Sequence, residues 1–170
     1  MGHSGQPADR ANAGDKRQLD RQLHLICDTA FSARNASGSP PWEFIFVRDE
    51  GRRLLGNMLV EAAQRRAPHA PRASLQPHGA KALLAPLIVA LGSSMGVPGA
   101  IPEAEHRLVV GAIAMNILNA VHALGYGALW ASGMDTDDRG VLEALGFQRP
   151  VRLAGFVFVG MPGEAGIPKR

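Results

Sequence analysis

The segment Arg107–Gly125 constrains the fold more than any other part of this sequence. It has no charge after Arg107 and no proline, and its apolar side chains would face every side of a helix: Leu108, Val109, Val110, Ile113, Met115, Ile117, Leu118, Val121 and Leu124. A helix that is apolar all round has no face for water, so it lies in a core, crosses a membrane or is covered by a second subunit.

The length and polar residues of this segment decide between these possibilities. It is shorter than the run of about 20 apolar residues that a bilayer requires, and it contains Asn116, Asn119 and His122. Glu103, just before the segment, suits the positive end of a helix, and Gly125 suits the position after the last turn. The sequence therefore predicts a long, buried central helix that also lies at a dimer interface.

Composition predicts one soluble domain. The chain has 170 residues, of which 46% are hydrophobic, so it can build a single core over residues 15–170, whereas the polar residues 1–14 are expected to be disordered. These first residues contain no apolar signal-peptide region, and Cys27 is the only cysteine, so we expect a reducing, cytoplasmic location.

Charge and histidine spacing argue against two classes of partner. The net charge is +3, but the arginines are scattered without interleaved aromatic residues, which does not favour nucleic acid. The six histidines lie far apart and form no metal-binding motif. We therefore expect no nucleic acid and no metal, and the length of the central segment already argues against a membrane.

Hydrophobic periodicity predicts that helices and strands alternate along the chain. The predicted elements are a helix from Asp15 to Ala33, a strand Trp42–Arg48, a helix from Asp49 or Glu50 to before Pro68, an exposed connection over 67–79, a short helical turn Lys81–Leu84, a strand 86–92, the central helix, a strand Ala128–Ser132, a helix 136–145 capped by Asp135 or Thr136, and a strand Val151–Gly160. This order indicates a sheet with helices packed on it, of α/β or α+β class.

One generic motif implies a different function and is set aside. Gly92-Ser93-Ser94-Met95-Gly96 matches the G-x-S-x-G pattern of a hydrolase nucleophile after a strand. In that arrangement a helix follows at once and a histidine comes last, but here Pro98 interrupts the expected helix and no histidine follows His122. We expect no side-chain nucleophile.

Several segments in order resemble the nitroreductase family of flavoproteins, in particular its small single-domain YdjA-type bacterial branch. They are Pro41-Trp42-Glu43-Phe44-Ile45-Phe46-Val47, Ala85-Pro86-Leu87-Ile88-Val89, the central helix, Trp130-Ala131-Ser132-Gly133, and Gly155 to Pro162. The resemblance implies an α+β nitroreductase-like fold with a mostly antiparallel central sheet flanked by helices and the long central helix at the dimer interface.

The resemblance also implies a function and a site. It predicts a homodimer that binds FMN at the subunit interface, takes electrons from NAD(P)H and reduces nitroaromatics, quinones or similar acceptors. The flavin carries the chemistry, so no catalytic side chain is required. The family's flavin contacts map to Ser32, Ala36, Trp130, Ala131 and Ser132, and its nicotinamide contacts map to the end of the central helix: Ala120, Val121, His122, Ala123, Leu124 and Gly125.

The phosphate anchors of the family differ in this chain. The family's Arg-Arg-Ser falls on Pro7-Ala8-Asp9, which makes the adjacent Arg10 the candidate replacement, and the family's Gln before Pro-Trp is Pro40. This leaves an alternative function open, in which a protein of the same fold has lost tight flavin binding and acts as a binding or sequestering protein or as a degenerate subunit.

Overall fold

A computed structural model describes residue 18 and residues 21–25, 42–94, 103–133 and 137–161, with only the backbone described over 103–107. The predicted N-terminal helix is therefore described only at residue 18 and residues 21–25, all of which are helical. The predicted disorder of residues 1–14 and the predicted loop over 33–41 lie outside the described residues.

The centre of the fold is a four-stranded sheet made of β1 (Trp42–Arg48), β2 (Leu87–Ser94), β3 (Gly127–Ala131) and β4 (Val151–Gly160). The strand order is β1-β2-β4-β3, and all neighbouring strands are antiparallel. The predicted α+β class with a mostly antiparallel sheet is confirmed. The middle strands β2 and β4 are buried along nearly their whole length, which explains why their sequences are continuous apolar runs rather than alternating ones.

Helices cover both faces of this sheet. The described helices are α1 (Glu50–Arg66), α2 (Arg72–Ala80), α3 (Glu103–Ala123) and α4 (Arg139–Leu145). One core contains Ile113, Ile117 and Val121 of α3 together with alternate residues of the sheet. The second core, on the opposite face, contains Leu55 and Leu59 of α1 and Leu142 of α4.

The prediction of an irregular connection over 67–79 is wrong, because α2 occupies most of it. The reason is close packing against α1: a Cβ on Gly79 would lie 2.7 Å from the carbonyl oxygen of Gly56, so the two backbones touch. Leu75 is buried against Val60 and Ala63 at the same crossing. Tertiary contact thus maintains a helix that contains Pro77, a residue that normally disfavours helix interiors.

The central helix α3 ends where the sequence predicts. Gly125 has a φ of +86°, in the left-handed region. The Tyr126 N–H donates to the Val121 carbonyl (3.1 Å), and the Gly125 N–H donates to the His122 carbonyl (2.9 Å). This is a Schellman motif, which satisfies carbonyls that the end of a helix leaves free. No described helix is long and apolar enough to cross a membrane.

The predicted N-cap of the short helix α4 is wrong. The side chain of Asp138, rather than Asp135 or Thr136, accepts a hydrogen bond from the Val141 N–H (3.1 Å). Arg65 at the end of α1 donates to both carboxylate oxygens of Asp138, at 3.0 and 2.6 Å. The cap residue was misplaced because Asp138 also has a partner distant in sequence, which a local pattern does not reveal.

We expect Asp138→Asn to lower the free energy of unfolding by about 1 kcal/mol at neutral pH, since Asn can still cap α4 but loses the ionic bond to Arg65. The Arg65 hydrogen bond holds the pKa of Asp138 below its ordinary value. A carboxyl group with a depressed folded-state pKa stabilises the fold above its unfolded pKa, about 3.9, and loses this contribution as the pH falls through the folded-state value.

Urea unfolding at several pH values measures this effect, with Asp137→Asn as the neighbouring control. The difference between wild type and Asp138→Asn should shrink below about pH 4. A difference that stays constant down to about pH 2.5 would contradict the assignment.

Candidate functional site

The antiparallel sheet has two ends, and each gathers a different set of chain segments. At one end Trp42 is paired with Ser93, and Ser93 with Arg152. We call this the Trp42 end, and β3 runs toward it. The opposite end, where Arg48 pairs with Leu87 and where β3 begins at Gly127, is called the Arg48 end.

The predicted flavin segment Trp130-Ala131-Ser132 lies where β3 runs out toward the Trp42 end. Trp130 is half-buried and packs on the core beneath α3, whereas Ala131 packs on the opposite core. Ser132 and Gly133 are exposed, and a Cβ on Gly133 would meet no heavy atom of the described residues within 4 Å. The strand therefore leads into two exposed small residues that follow an aromatic ring.

The indole of Trp130 has an unusual environment. Its Nε1 atom is buried and has no hydrogen-bond partner among the described residues. A buried donor without an acceptor costs about 1–3 kcal/mol, and such atoms mark places where an additional group or a rearrangement completes the structure. This is the described feature that most clearly singles out the end of β3.

The other predicted flavin contacts, Arg10, Ser32 and Ala36, lie outside the described residues. The predicted loop that contains Ala36 leads into β1, which begins at Trp42, so it enters the sheet at the end toward which β3 runs. β1 and β3 are the two edge strands of the sheet, and two strands separate them. The topology thus brings the approach to Trp42 and the end of β3 to the same end of the sheet, on opposite edges.

The predicted nicotinamide segment lies elsewhere. Residues 120–125 form the last turn of α3 and its cap, and they lead into β3 at the Arg48 end of the sheet. The five residues of β3 separate this segment from Ser132, a distance of about 13–17 Å along a strand. Within one chain, the two predicted halves of the site are therefore apart.

Burial differs among the residues of this segment. Val121 is fully buried in the core, Ala120 and His122 are half-buried, and Ala123, Leu124 and Gly125 are exposed. His122 also has a structural contact, because its Nε2 atom accepts a hydrogen bond from the backbone N–H of Ala128 (3.3 Å). This bond joins the end of α3 to the beginning of β3.

We expect His122→Ala to lower the free energy of unfolding by about 1–2 kcal/mol, because it removes the acceptor for a buried backbone N–H. Thermal unfolding measures the loss, and Asn119→Ala, an exposed change on the same helix, is the control. The KM for NAD(P)H should be measured in parallel: a rise without any loss of stability would contradict the structural role of His122 and favour a nicotinamide contact.

The structure supports setting aside the G-x-S-x-G motif. Gly92, Ser93 and Ser94 all belong to β2, and Ser94 pairs with Val151, so this serine does not lie on a turn between a strand and a helix. Ser93 is only 2% exposed. A Cβ on Gly92 would overlap the ring of Phe147, so this glycine serves core packing. Met95 and Gly96 lie outside the described residues.

Gly155 is a residue whose importance to the site the sequence analysis missed. It lies in β4 with a φ of +148°, where the register against β2 shifts and Ala154 is left without a partner. A Cβ there would lie 2.6 Å from Nε1 of Trp130. An isolated glycine inside a strand pattern is a known sign of a bulge or a close approach of two backbones, and it could have identified this position.

Among the described residues, no group of three or more His, Cys, Asp or Glu side chains could hold a metal ion. The strong ion pair of Arg65 with Asp138 joins α1 to α4 and therefore lies on the face of the sheet opposite the indole of Trp130.

Comparison with known proteins identifies the family to which this fold belongs. The family model of the nitroreductase family matches residues 19–161, and the chain belongs to this family. It is 26% identical over 141 residues to the Escherichia coli (strain K12) protein named "Putative NAD(P)H nitroreductase YdjA", covering 83% of this chain and 76% of that protein. The chain is therefore an oxidoreductase of the nitroreductase family.

Solved structures show the same fold. A nitroreductase-like family protein from Bacillus cereus has a TM-score of 0.69 at 21% identity, covering 88% of this chain and 78% of that one. A Desulfovibrio desulfuricans protein solved in complex with FMN has a TM-score of 0.58 at 21% identity, covering 89% and 78%. Iodotyrosine deiodinase bound to FMN and 3-iodo-L-tyrosine has a TM-score of 0.59 at 19% identity, covering 88% and 82%.

Proposed function

We propose that this protein is an FMN-dependent NAD(P)H oxidoreductase that reduces nitroaromatic, quinone or similar acceptors. The observation that carries the proposal is the end of β3, where the buried Trp130 Nε1 has no acceptor among the described residues and Ser132 and Gly133 are exposed. Family membership and the FMN-bound structural neighbours support the cofactor. A cytoplasmic location remains a prediction from the single cysteine.

The described residues at this end of the sheet provide groups that can bind a flavin. The half-buried indole of Trp130 provides an apolar surface for a ring system, and Ser132 provides an exposed hydroxyl that can donate or accept a hydrogen bond. When bound, FMN accepts electrons from NAD(P)H and passes them to the acceptor. The chain itself then has to bind and orient the cofactor, and it needs no acid, base or nucleophile of its own.

We further propose that the protein works as a homodimer through α3. Although α3 is apolar all round, Leu108 is 74% exposed and Met115 is 49% exposed in the single chain. These large apolar side chains, with Val109 at the edge of the same helix, remain for a second copy to cover. A twofold interface buries the same patch on both subunits.

Such a dimer also accounts for the distance between the two predicted halves of the site. Only three residues join α3 to β3, so we infer that α3 runs antiparallel to β3, with its N-terminal half toward Trp130. If the two copies of α3 pack antiparallel, the end of α3 in one subunit approaches the Trp130 turn of its partner. We propose that the nicotinamide contacts at residues 120–125 act across the interface in this way.

The experiment that tests the proposed function is the visible absorption spectrum of the purified protein, recorded as isolated and again after incubation with FMN and desalting. We expect a retained flavin spectrum at close to one FMN per chain, followed by bleaching when NADH or NADPH is added without oxygen. Free FMN passed through the same desalting column is the control. A colourless protein after reconstitution would overturn the proposal and favour the flavin-free alternative.

A further inference from the structure

Gly155 lies in β4, next to the end of β3. Because it has no side chain, it leaves room for two atoms of β3 residues. A Cβ at Gly155 would lie 2.6 Å from Nε1 of Trp130 and 2.7 Å from the carbonyl oxygen of Ala131. Both distances are well below the contact distance of a real Cβ, so any side chain would force the indole or the strand to move. One of the two atoms is backbone, which cannot swing aside as a side chain can.

The backbone at this position is specialised as well. β4 pairs with β2 through Leu91 and Gly155, but the next β2 residue, Gly92, pairs with Leu153. The extra residue makes a β-bulge, and Gly155 there has a φ of +148°, which L residues rarely adopt. Bulges bend a strand locally and redirect the side chains near them.

We propose that Gly155 is a positioning residue for the cofactor: together with the bulge, it sets the place of the Trp130 indole and the path by which β3 leads into Ser132. This inference rests on the proposed flavin site at Trp130, Ala131 and Ser132. Gly155 itself packs against Trp130 and Ala131 and needs no contact with FMN. A side chain at position 155 therefore displaces the flavin-binding turn without removing any residue from it.

The test compares Gly155→Ala with Gly79→Ala. A Cβ at Gly79 would also lie 2.7 Å from a carbonyl oxygen, that of Gly56, but at the α1–α2 crossing, which belongs to the opposite side of the sheet from the Trp130 indole. The two variants thus introduce a similar backbone collision, one beside the proposed site and one remote from it. FMN dissociation constants, thermal unfolding and the tryptophan emission of the flavin-free proteins are measured for both.

We expect Gly155→Ala to raise the Kd for FMN about tenfold or more, because a displacement near 1 Å in a positioned site has effects of this size or larger. Gly79→Ala should change the Kd less than about twofold at a comparable loss of thermal stability. An unchanged Kd in Gly155→Ala, or an equal rise in both variants, would overturn the inference.

The inference can still be tested if wild type binds no FMN or if Gly155→Ala does not fold. If wild type binds no FMN, the proposed function fails. A shift of tryptophan emission in flavin-free Gly155→Ala that is absent in Gly79→Ala would still support the positioning of Trp130, whereas identical emission in the two variants would overturn it.

If Gly155→Ala does not fold, Trp130→Phe is added to remove the Nε1 contact. The double variant should still bind FMN about tenfold more weakly than Trp130→Phe alone, since the collision with the Ala131 carbonyl persists; equal affinities would overturn the inference.

Discussion

Changing Leu108 and Met115 together to glutamate is expected to turn a dimeric, flavin-containing protein into a colourless monomer at micromolar concentration. Both side chains are exposed on α3 of the single chain, so glutamate costs little in the folding of one subunit. In a twofold interface the introduced carboxylates of both subunits would be buried away from water, and burying unpaired charges costs several kcal/mol. Association should therefore be lost before folding is.

Sedimentation equilibrium and the absorption ratio of flavin to protein measure the two consequences. The matched control is Leu54→Glu, because Leu54 is 58% exposed on α1, on the opposite face of the sheet from α3. This control should remain dimeric and coloured. A double variant that is still a dimer, or a wild type that is monomeric at micromolar concentration, would refute the proposed interface.

Trp130→Ala is expected to abolish flavin retention and NAD(P)H-dependent turnover. The change removes the aromatic surface at the end of β3 and opens a cavity against the core beneath α3, so it should also cost about 2–4 kcal/mol of stability. Ser132→Ala separates binding from folding, because Ser132 is exposed and its loss should change stability by less than about 0.5 kcal/mol. We expect Ser132→Ala to weaken FMN binding with almost no change in Tm.

The measurements are FMN titration, stopped-flow reduction by NADH and NADPH, and thermal unfolding. Leu129→Ala is the matched control, since Leu129 precedes Trp130 in β3, is partly exposed and faces the opposite side of the sheet. It should retain the flavin. Full flavin content and full turnover in folded Trp130→Ala would place the cofactor elsewhere and leave the end of β3 with a structural role only.

Much of the fold could be predicted because its signals are local. The buried strands β2 and β4 are continuous apolar runs, and α3 has its glycine cap at Gly125, so the residues themselves specify where these elements lie. The site was harder to predict. The roles of Trp130 and Ser132 as flavin contacts came only from the resemblance to a family motif.

The errors share one physical cause, which is contact between residues distant in sequence. The proline-rich stretch over 67–79 is mostly helical, contrary to the prediction, because Gly79 packs against Gly56. The N-cap of α4 is Asp138 rather than the predicted Asp135 or Thr136, because Arg65 of α1 donates hydrogen bonds to the Asp138 carboxylate. Neither partner is visible in a local window, since propensities describe a segment alone and tertiary packing can override them.

The sequence by itself determined the succession of strands and helices apart from α2, the layered class and the family, because these depend on periodicity, caps and ordered motifs along the chain. Only the tertiary structure decided that residues 120–125 and Trp130 lie toward opposite ends of the sheet, and that Gly155 lies behind the indole. Register and strand direction set these relations, and a bulge in β4 changes them locally. Register and bulges arise when strands pair, so they belong to the folded sheet rather than to any single segment.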